Sequence, residues 1–193
     1  MKPIDFGRGR WDAKLFCDVY SPKFAATPRF EQQDDCLVNA GAPGHYDYVS
    51  IVTKQLLPLG VKLETRCSFE RYGAPLIVLS DDLRRDEAGV LRYGEHYEIV
   101  AYEGGVNIWH LRPLPGDVQA ENLIRRHFSV AAGMPFTLGV CPTAEGFAVR
   151  LEEESFFLPV RGLPARFHAG VTACEGIDRF YAFAVDRQEG DVL

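Results

Sequence analysis

The sequence lacks the segments that mark membrane-spanning and disulfide-stapled proteins. No apolar run in the 193 residues approaches the roughly 18 residues that cross a bilayer. The opening residues, MKPIDFGRGRWDAKLF, contain no apolar signal region. The five cysteines are far apart, without a C-x-x-C pair, so neither a zinc site nor a disulfide framework is indicated. We therefore expect reduced thiols, a cytoplasmic location and no membrane association.

Clustered positive charge is also missing. The 21 Lys and Arg residues are scattered among 27 Asp and Glu residues, which gives a net charge of −6. Nucleic-acid affinity depends on Lys and Arg contacts to phosphates, so we expect no nucleic-acid partner. The five histidines show no H-x-H or H-x-x-x-H spacing, and no glycine-rich phosphate loop follows a strand. The pattern therefore predicts no resident metal or cofactor.

A helical period is not sustained anywhere in the chain, and alternation of apolar and polar residues takes its place. Residues 60–71, GVKLETRCSFER, alternate throughout, with Leu63 and Phe69 on one side and charged residues on the other. This period of two predicts a strand with one solvated face. Residues 74–80, APLIVLS, form a continuous apolar run, which predicts a strand that is covered on both sides.

More short strands are predicted between turn residues. They lie at 13–20, 35–39, 47–54, 122–130, 135–141, 146–152, 155–160, 166–173 and 179–186. The charged segment 80–94 predicts a surface loop with a short turn of helix. Many short strands with little helix indicate an all-β sandwich or barrel. The apolar content of 47% is enough for a full core, and the length favours a single domain over residues 1–193.

Residues 95–112 predict a hairpin around Gly104 and Gly105, a dipeptide suited to a two-residue turn. With that turn, Val100 lies opposite Trp109. Cross-strand partners share a face of the sheet. One face is then apolar, and it is made of Ile99, Ala101, Val106 and Ile108. The other face carries polar and aromatic groups, and it is made of His96, Glu98, Val100, Tyr102, Asn107 and Trp109. Moving the turn by one residue pair leaves both sets unchanged.

The polar face of this hairpin suits a sugar. An indole can stack on the C–H face of a sugar ring, while carboxylate, imidazole and amide groups bind the hydroxyls. The predicted ligand-binding residues are Trp109, Asn107, His96, Tyr102, Arg66, Glu64 and His45, where Arg66 and Glu64 come from a neighbouring strand and His45 from the rim. The alternative interpretation is that Trp109 only packs in a second layer, with His96 and Glu98 as solvated edges.

An acidic segment at residues 80–87, SDDLRRDE, offers a calcium site as an alternative to the absence of metal. Asp81, Asp82 and Asp86 would supply the oxygen ligands. Acidic surface loops are more often simply solvated, and we favour that interpretation.

Several segments together resemble the concanavalin A-like lectin/glucanase superfamily. They are FERYGAPLIVLSDDL, YGEHYEIVAYEGGVNIWHL, GFAVRLEEESFFLPVRGLPARFHAGVTACEG and DRFYAFAV. The likeness spans roughly residues 11–186 and is nearest to a single-domain branch named for regulation of enolase. It implies a jelly roll of two antiparallel sheets with a ligand groove on the concave face. Glycans are the ligands that it implies.

The chain departs from the superfamily's catalytic and lectin motifs. The glucanase E-x-D-x-E pattern and the galectin H-x-N-x-R run are both absent. Glu95 and Glu103 would lie about 26 Å apart along a strand. The two catalytic carboxyl groups of a glycosidase are only about 5–9.5 Å apart. Glu98 is therefore the one candidate catalytic carboxylate.

Three functions follow from the sequence. We favour recognition of a glycan or another small ligand on one face of the sandwich. The first alternative is a carbohydrate-active enzyme in the same groove, either a glycoside hydrolase or a polysaccharide lyase, the latter using a tyrosine, histidine and arginine set. The second is a cytoplasmic regulatory module with a protein partner. Exposed edge strands also suit a homodimer. The sequence leaves open whether the protein is an enzyme.

Overall fold

A computed structural model describes residues 3–21, 29–39, 48–115 and 117–186. These residues are almost entirely strand. In chain order the strands are β1 (Ile4–Asp5), β2 (Phe16–Asp18), β3 (Phe30–Gln32), β4 (Leu37–Asn39), β5 (Val49–Thr53), β6 (Leu57–Pro58), β7 (Lys62–Ser80), β8 (Leu83–Arg85), β9 (Leu91–Tyr93), β10 (His96–Tyr102), β11 (Gly105–Leu114), β12 (Asp117–His127), β13 (Phe136–Thr143), β14 (Gly146–Leu151), β15 (Glu154–Pro159) and β16 (Arg166–Asp186). A 3-10 turn covers Ala13–Leu15.

Two long strands, β7 and β16, pair with each other and run through both layers of a sandwich. What we call the back sheet has the order β15-β14-β13-β7-β16 and uses residues 62–69 of β7, with β1 and β4 on the far side of β16. The front sheet has the order β12-β11-β10-β7-β16-β5-β2 and uses residues 75–80 of β7. All pairings between these strands are antiparallel. The predicted all-β, jelly-roll-like class with little helix is therefore confirmed.

The main core lies between the two sheets. Leu63 and Phe69 of β7 point into it in the back sheet, as Ile77 and Leu79 do in the front sheet. Lys62, Arg66 and Glu70, which alternate with them, are exposed. The solvated face that the alternation at 60–71 predicts is confirmed at these charged residues, which stay in water where no layer covers them, whereas Ser68 on the same face is buried.

A second, smaller apolar cluster covers the outer face of the front sheet. Leu76 and Val78 of β7 lie in it, together with Val19, Tyr48 and Tyr93. The continuous apolar run at 74–80 is therefore buried on both of its sides, as predicted.

Both long strands bend where they pass from one sheet to the other. Gly73 pairs with Gly176 at that point, and the register shifts on either side. A Cβ on Gly73 would lie 2.3 Å from Asp178 Oδ1, so only glycine leaves room for this carboxyl group. Asp178 is fully buried, and neither carboxyl oxygen has a hydrogen-bond partner of normal geometry among the described residues. Burial raises its pKa well above the ordinary range.

The hairpins β10–β11 and β13–β14 turn in the same way. Gly105 (φ +135°) and Gly146 (φ +146°) each start the second strand, and a Cβ there would lie 1.9 Å and 2.1 Å from the carbonyl oxygens of Arg126 and Leu158. Each glycine thus lets the next strand approach closely. In the first hairpin, Tyr102 pairs with Gly105, so the turn residues are Glu103 and Gly104. The predicted turn at 104–105 is wrong by one residue, since the turn lies at 103–104.

The charged segment 80–94 also differs from the prediction. It forms the two-stranded hairpin β8–β9 instead of a loop with helical turn. Asp86 accepts hydrogen bonds from the amides of Ala88 and Val90, and Gly89 takes a positive φ of 76°. These turn interactions favour the tight hairpin. No helix in the described ranges is long and apolar enough to cross a membrane.

Candidate functional site

The candidate site lies on the outer face of the front sheet, around Glu98 at the middle of β10. Glu98 pairs with Trp109 of β11 on one side and with Val78 of β7 on the other. The two predicted faces of the hairpin are confirmed, because Ile99 and Ile108 are in the core while Glu98 and Trp109 share the opposite face. The predicted pairing of Val100 with Trp109 is wrong: the turn lies one residue earlier, so Val100 pairs with Asn107.

Glu98 is buried, with only 6% of its surface exposed. Tyr48 donates a hydrogen bond from Oη to Glu98 Oε1 over 2.5 Å. Burial, and then the nearby Glu98 charge, raise the pKa of Tyr48 well above its ordinary value, so the phenol keeps its proton and acts as donor. The pair satisfies a carboxylate that would otherwise be costly to bury.

His96 lies beside Glu98 and is 1% exposed. Its Nδ1 is 2.8 Å from the carbonyl oxygen of Gly94, which only accepts, so Nδ1 carries a hydrogen. The other ring nitrogen, Nε2, lies 3.6 Å from Glu98 Oε1 and has no hydrogen-bond partner among the described residues. The ring stacks on Tyr93, with centroids 4.7 Å apart. His96 thus turns one unpartnered nitrogen towards the carboxylate.

A second set of buried polar groups covers the part of this face that lies over β16 and β5. The Tyr93 hydroxyl hydrogen-bonds the Ser50 hydroxyl, which lies 2.6 Å from Thr172 Oγ1. Burial is also the main cause that raises the pKa of Tyr93. Tyr93 comes from the β8–β9 hairpin and contacts Tyr48 edge to face. Glu98 and His96 therefore lie beneath a tyrosine layer and are not exposed hydroxyl binders.

The part of the same face that lies over β11 and β12 is open. Trp109 is partly buried and packs against the second apolar cluster, while part of its surface stays accessible. Asn107 Oδ1 accepts a hydrogen bond from Arg125 Nε at 3.2 Å. Asn122 of β12 pairs with Trp109 and is exposed. The indole is therefore bordered by two amides and one guanidinium.

Sequence reasoning missed Asn122 and Arg125. The pairing of β12 with β11 shifts register after Ile108, so that Ile108 pairs with Ile124 but Trp109 pairs with Asn122. This irregularity breaks simple alternation in β12 and hides which side chains share the face of Trp109. The adjacent apolar pair Leu123 and Ile124, inside an otherwise polar strand, is the sequence signal that could have indicated it.

The remaining predicted site residues lie elsewhere. Glu64 and Arg66 belong to the back-sheet part of β7, where Glu64 binds Arg150 and Arg66 is exposed. The bend in β7 places them on the outer face of the opposite layer, so the expected single cleft with Glu98 does not form. Tyr102 is partly buried near the hairpin turn, and its hydroxyl has no partner in the described residues. His45 lies outside the described residues.

The acidic residues proposed for calcium are engaged otherwise. Asp82 forms an ion pair with Arg84, and Asp86 pairs with Arg92. Burial, and then neighbouring carboxylates, raise the pKa of Asp81. Within the described ranges no group of three His, Cys, Asp or Glu side chains could hold a metal ion.

The cysteines all fall in the described ranges and are free thiols. Cys174 packs beside the second apolar cluster, near Glu98. Burial, and then the Glu98 charge, raise the pKa of its thiol well above the ordinary value. The protonated thiol is a poor nucleophile.

Comparison with solved structures identifies the fold. The chain is similar to a carbohydrate-binding module, CBM66, from Bacillus subtilis (TM-score 0.63, 9% identity, covering 89% of this chain and 95% of that one). It is similar to a family 16 endo-glucanase from Bacteroides ovatus (TM-score 0.59, 12% identity, covering 95% of this chain and 99% of that one). It is also similar to the exoplasmic/lumenal domain of VIP36 in a form bound to Ca²⁺ and Man3GlcNAc (0.55, 12%, 94% and 88%).

These proteins have concanavalin A-like jelly rolls, so the resemblance drawn from the sequence is confirmed for the fold. No protein-family model and no curated protein matches the sequence. The regulation-of-enolase branch stays a prediction. At such low identity the likeness concerns the fold alone.

Proposed function

We propose that the chain binds a carbohydrate on the open half of the front sheet's outer face, with Trp109 as the stacking platform. The observation that carries the proposal is the exposed border of the indole. Asn122 lies opposite it, and the Asn107–Arg125 pair lies one step along the strands. A partly accessible aromatic ring beside hydrogen-bond donors and acceptors suits both the apolar and the hydroxyl sides of a sugar ring.

The buried groups behind Trp109 would have a supporting role. Glu98 pairs with Trp109 across the strands and accepts a hydrogen bond from Tyr48, so a buried, hydrogen-bonded pair fills the position beside the indole. Rigid support lowers the entropy cost of binding. That a carbohydrate-binding module and a glycan-bound lectin domain share the fold adds to this proposal.

Catalysis by glycoside hydrolysis fits the described geometry less well. Both hydrolysis mechanisms need two carboxyl groups about 5–9.5 Å apart. At the outward positions of β10, β11 and the front part of β7, Glu98 is the only carboxylate, and it is buried. The glucanase likeness therefore supports the fold more than the chemistry. Product release from a glycan panel, lost in Glu98→Gln, would favour the enzyme instead.

Tryptophan fluorescence provides the test. The chain has two tryptophans, and Trp11 lies in a separate aromatic cluster with Phe6 and Phe16. A Trp11→Phe variant therefore leaves Trp109 as the one indole reporter. We expect neutral oligosaccharides to change its emission saturably. We expect Trp109→Ala, measured by calorimetry, to weaken binding at least tenfold, about 1.4 kcal/mol.

Two results would contradict the proposal. One is unchanged emission of Trp11→Phe across gluco-, galacto-, manno- and fructo-oligosaccharides. The other is binding by calorimetry that Trp109→Ala leaves intact. Asn122→Ala is a milder companion variant, because it removes one exposed amide at the border without touching the apolar cluster.

A further inference from the structure

A hollow lies on the outer face of the back sheet, on the side of the sandwich away from Trp109. It has a volume of about 570 Å³ and opens above β13 and β14. Its floor is made of small side chains, because Gly139, Cys141 and Ala148 occupy the outward positions there. Lys62, Arg150 and Phe157 line its edges.

Phe157 gives this hollow an aromatic wall. It pairs with Ala148 on the edge strand β15 and is 47% exposed. Its neighbour Phe156 points the other way, packing against the core and stacking on Phe128. A large ring left in water next to a small residue leaves one ring face uncovered above the floor.

A compact charged cluster borders the floor opposite Phe157. Glu64 Oε1 accepts from Arg150 at 2.5 Å and lies 3.1 Å from Lys62 Nζ. The bridge spans the intervening strand because Gly139, which pairs with both Glu64 and Arg150, has no side chain. Burial would raise the pKa of Glu64, but hydrogen bonds from Lys62 and Arg150 lower it, so the carboxylate stays charged.

Both cations of this cluster are ion-paired. Lys62 and Arg150 each pair with Glu64, which lies between them, and Arg150 also donates to the carbonyl oxygen of Glu152. Arg150 Nε is shielded from solvent and has no partner among the described residues. The cluster thus offers both hydrogen-bond donors and a carboxylate acceptor, which is the combination that the hydroxyl groups of a sugar need.

We propose that this hollow is a second carbohydrate site, for one or two rings of a neutral pyranose. The C–H face of the sugar stacks on Phe157, and its hydroxyls reach Arg150, Lys62 and Glu64 over the floor of small residues. This site goes beyond the one at Trp109 and does not depend on it, since the two lie on opposite outer faces. Two such faces would let one chain contact two glycan segments.

Amide NMR spectra separate the two sites. Titration of ¹⁵N-labelled protein with cellobiose, laminaribiose, lactose or mannobiose should shift the amides of Cys141, Ala148 and Phe157 saturably. Sugar concentrations about tenfold above a Kd of about 1 mM suffice for a site of this size. Phe157→Ala should raise the Kd obtained from these shifts at least tenfold, and Trp109→Ala should leave that Kd unchanged.

Two controls guard the result. Tyr72→Ala removes another exposed aromatic ring, on β7, which is 41% exposed and lies outside the hollow. This variant should leave the sugar-induced shifts and their Kd unchanged. Ala148→Leu fills the floor at an exposed position and should abolish the shifts while the protein stays folded.

The outcomes are distinct for the two proposed sites. Shifts confined to residues around Trp109 would overturn the second site and leave the first standing. Shifts at the hollow that persist in Phe157→Ala and Ala148→Leu would also overturn it. Shifts at the hollow that Trp109→Ala spares would support it even if the first site proved silent.

Discussion

The outer faces of the two sheets differ sharply although the same strand, β7, contributes to both. In the back sheet its outward residues are charged and exposed, as at Lys62 and Arg66. In the front sheet its outward residues Leu76 and Val78 are fully buried. Odd-numbered residues such as Leu63 and Ile77 point into the core in both halves of β7, so the difference does not arise from the strand itself. It arises from the layer around Tyr48 and Tyr93 that covers only the front sheet.

This contrast also explains why the two candidate sites have different characters. On the front face, buried polar groups such as Glu98 and His96 are fixed by a tyrosine layer, and only the edge at Trp109 is open. On the back face nothing in the described chain covers the sheet, so a hollow forms wherever small residues such as Gly139 adjoin a larger one. One site thus depends on a covering layer, and the other on its absence.

The largest expected effect comes from truncating the two faces of β7. Leu76→Ala should lower the free energy of unfolding by about 2–5 kcal/mol, because it leaves a cavity in the second apolar cluster. Arg66→Ala, on the same strand but exposed, should stay within about 0.5 kcal/mol. Urea denaturation of both variants measures the difference. Equal losses would show that the front face is not a true core.

The next effect tests whether the two sheets turn their hairpins by the same device. Gly105→Ala and Gly146→Ala should each cost about 2–4 kcal/mol, since both combine a positive φ with a clash against a neighbouring strand carbonyl. Thermal and urea unfolding would measure it.

Gly139→Ala is the matched control for the hairpin variants. Its added methyl would meet its nearest neighbour, Glu64, at 3.4 Å, close to ordinary contact, so little loss is expected. A tolerated alanine at Gly105 but not at Gly146 would mean that the two hairpins are not equivalent.

A smaller expected effect is the pH dependence of stability, which should differ between Asp178, at the bend between the sheets, and Asp86, in the surface hairpin β8–β9. Burial raises the pKa of Asp178 in the folded state, so the group carries no stability penalty only below the ordinary value of about 3.9, where it is also neutral in the unfolded chain. Stability is then lost as the pH rises towards the raised pKa. Asp178→Asn should remove this loss, so the variant gains stability relative to the wild type as the pH rises.

Asp86→Asn should behave in the opposite way. Hydrogen bonds from Arg92 and from the Val90 amide lower the pKa of Asp86, so its contribution is present near neutral pH and is lost as the pH falls through that lowered value. Urea titrations between about pH 2 and 8 cover the range below the ordinary value of about 3.9, where Asp86 loses its contribution, and the range above it, where Asp178 does. If the Asp178→Asn difference were flat with pH, the carboxyl group would not be neutral in the folded protein.

Much of the fold could be predicted because it depends on local pattern. The alternation at 60–71 and the apolar run at 74–80 each predicted the burial that β7 shows. The two faces of the β10–β11 hairpin were also predicted. Moving the turn by one residue shifts each cross-strand partner by two positions, so every side chain stays on the same face. The exact turn was not, since Gly105 is needed for the close approach of β12 and not for the turn itself.

The candidate site was predicted only in part. Glu98 and Trp109 share a face, as expected, but Arg66 and Glu64 lie on the other sheet because β7 bends at Gly73. The burial of Glu98 was not predictable either, because Tyr48 is 50 residues away in the chain and reaches it only through the pairing of distant strands.

The sequence alone determined the all-β class and the inward and outward sets of β7, β10 and β11, because side-chain alternation and turn chemistry act over a few residues. Only the tertiary structure decided which outward face is covered and which is open. That choice depends on where β7 and β16 bend and on which distant segment packs over each sheet. These are contacts between residues far apart in the chain, and no local pattern encodes them.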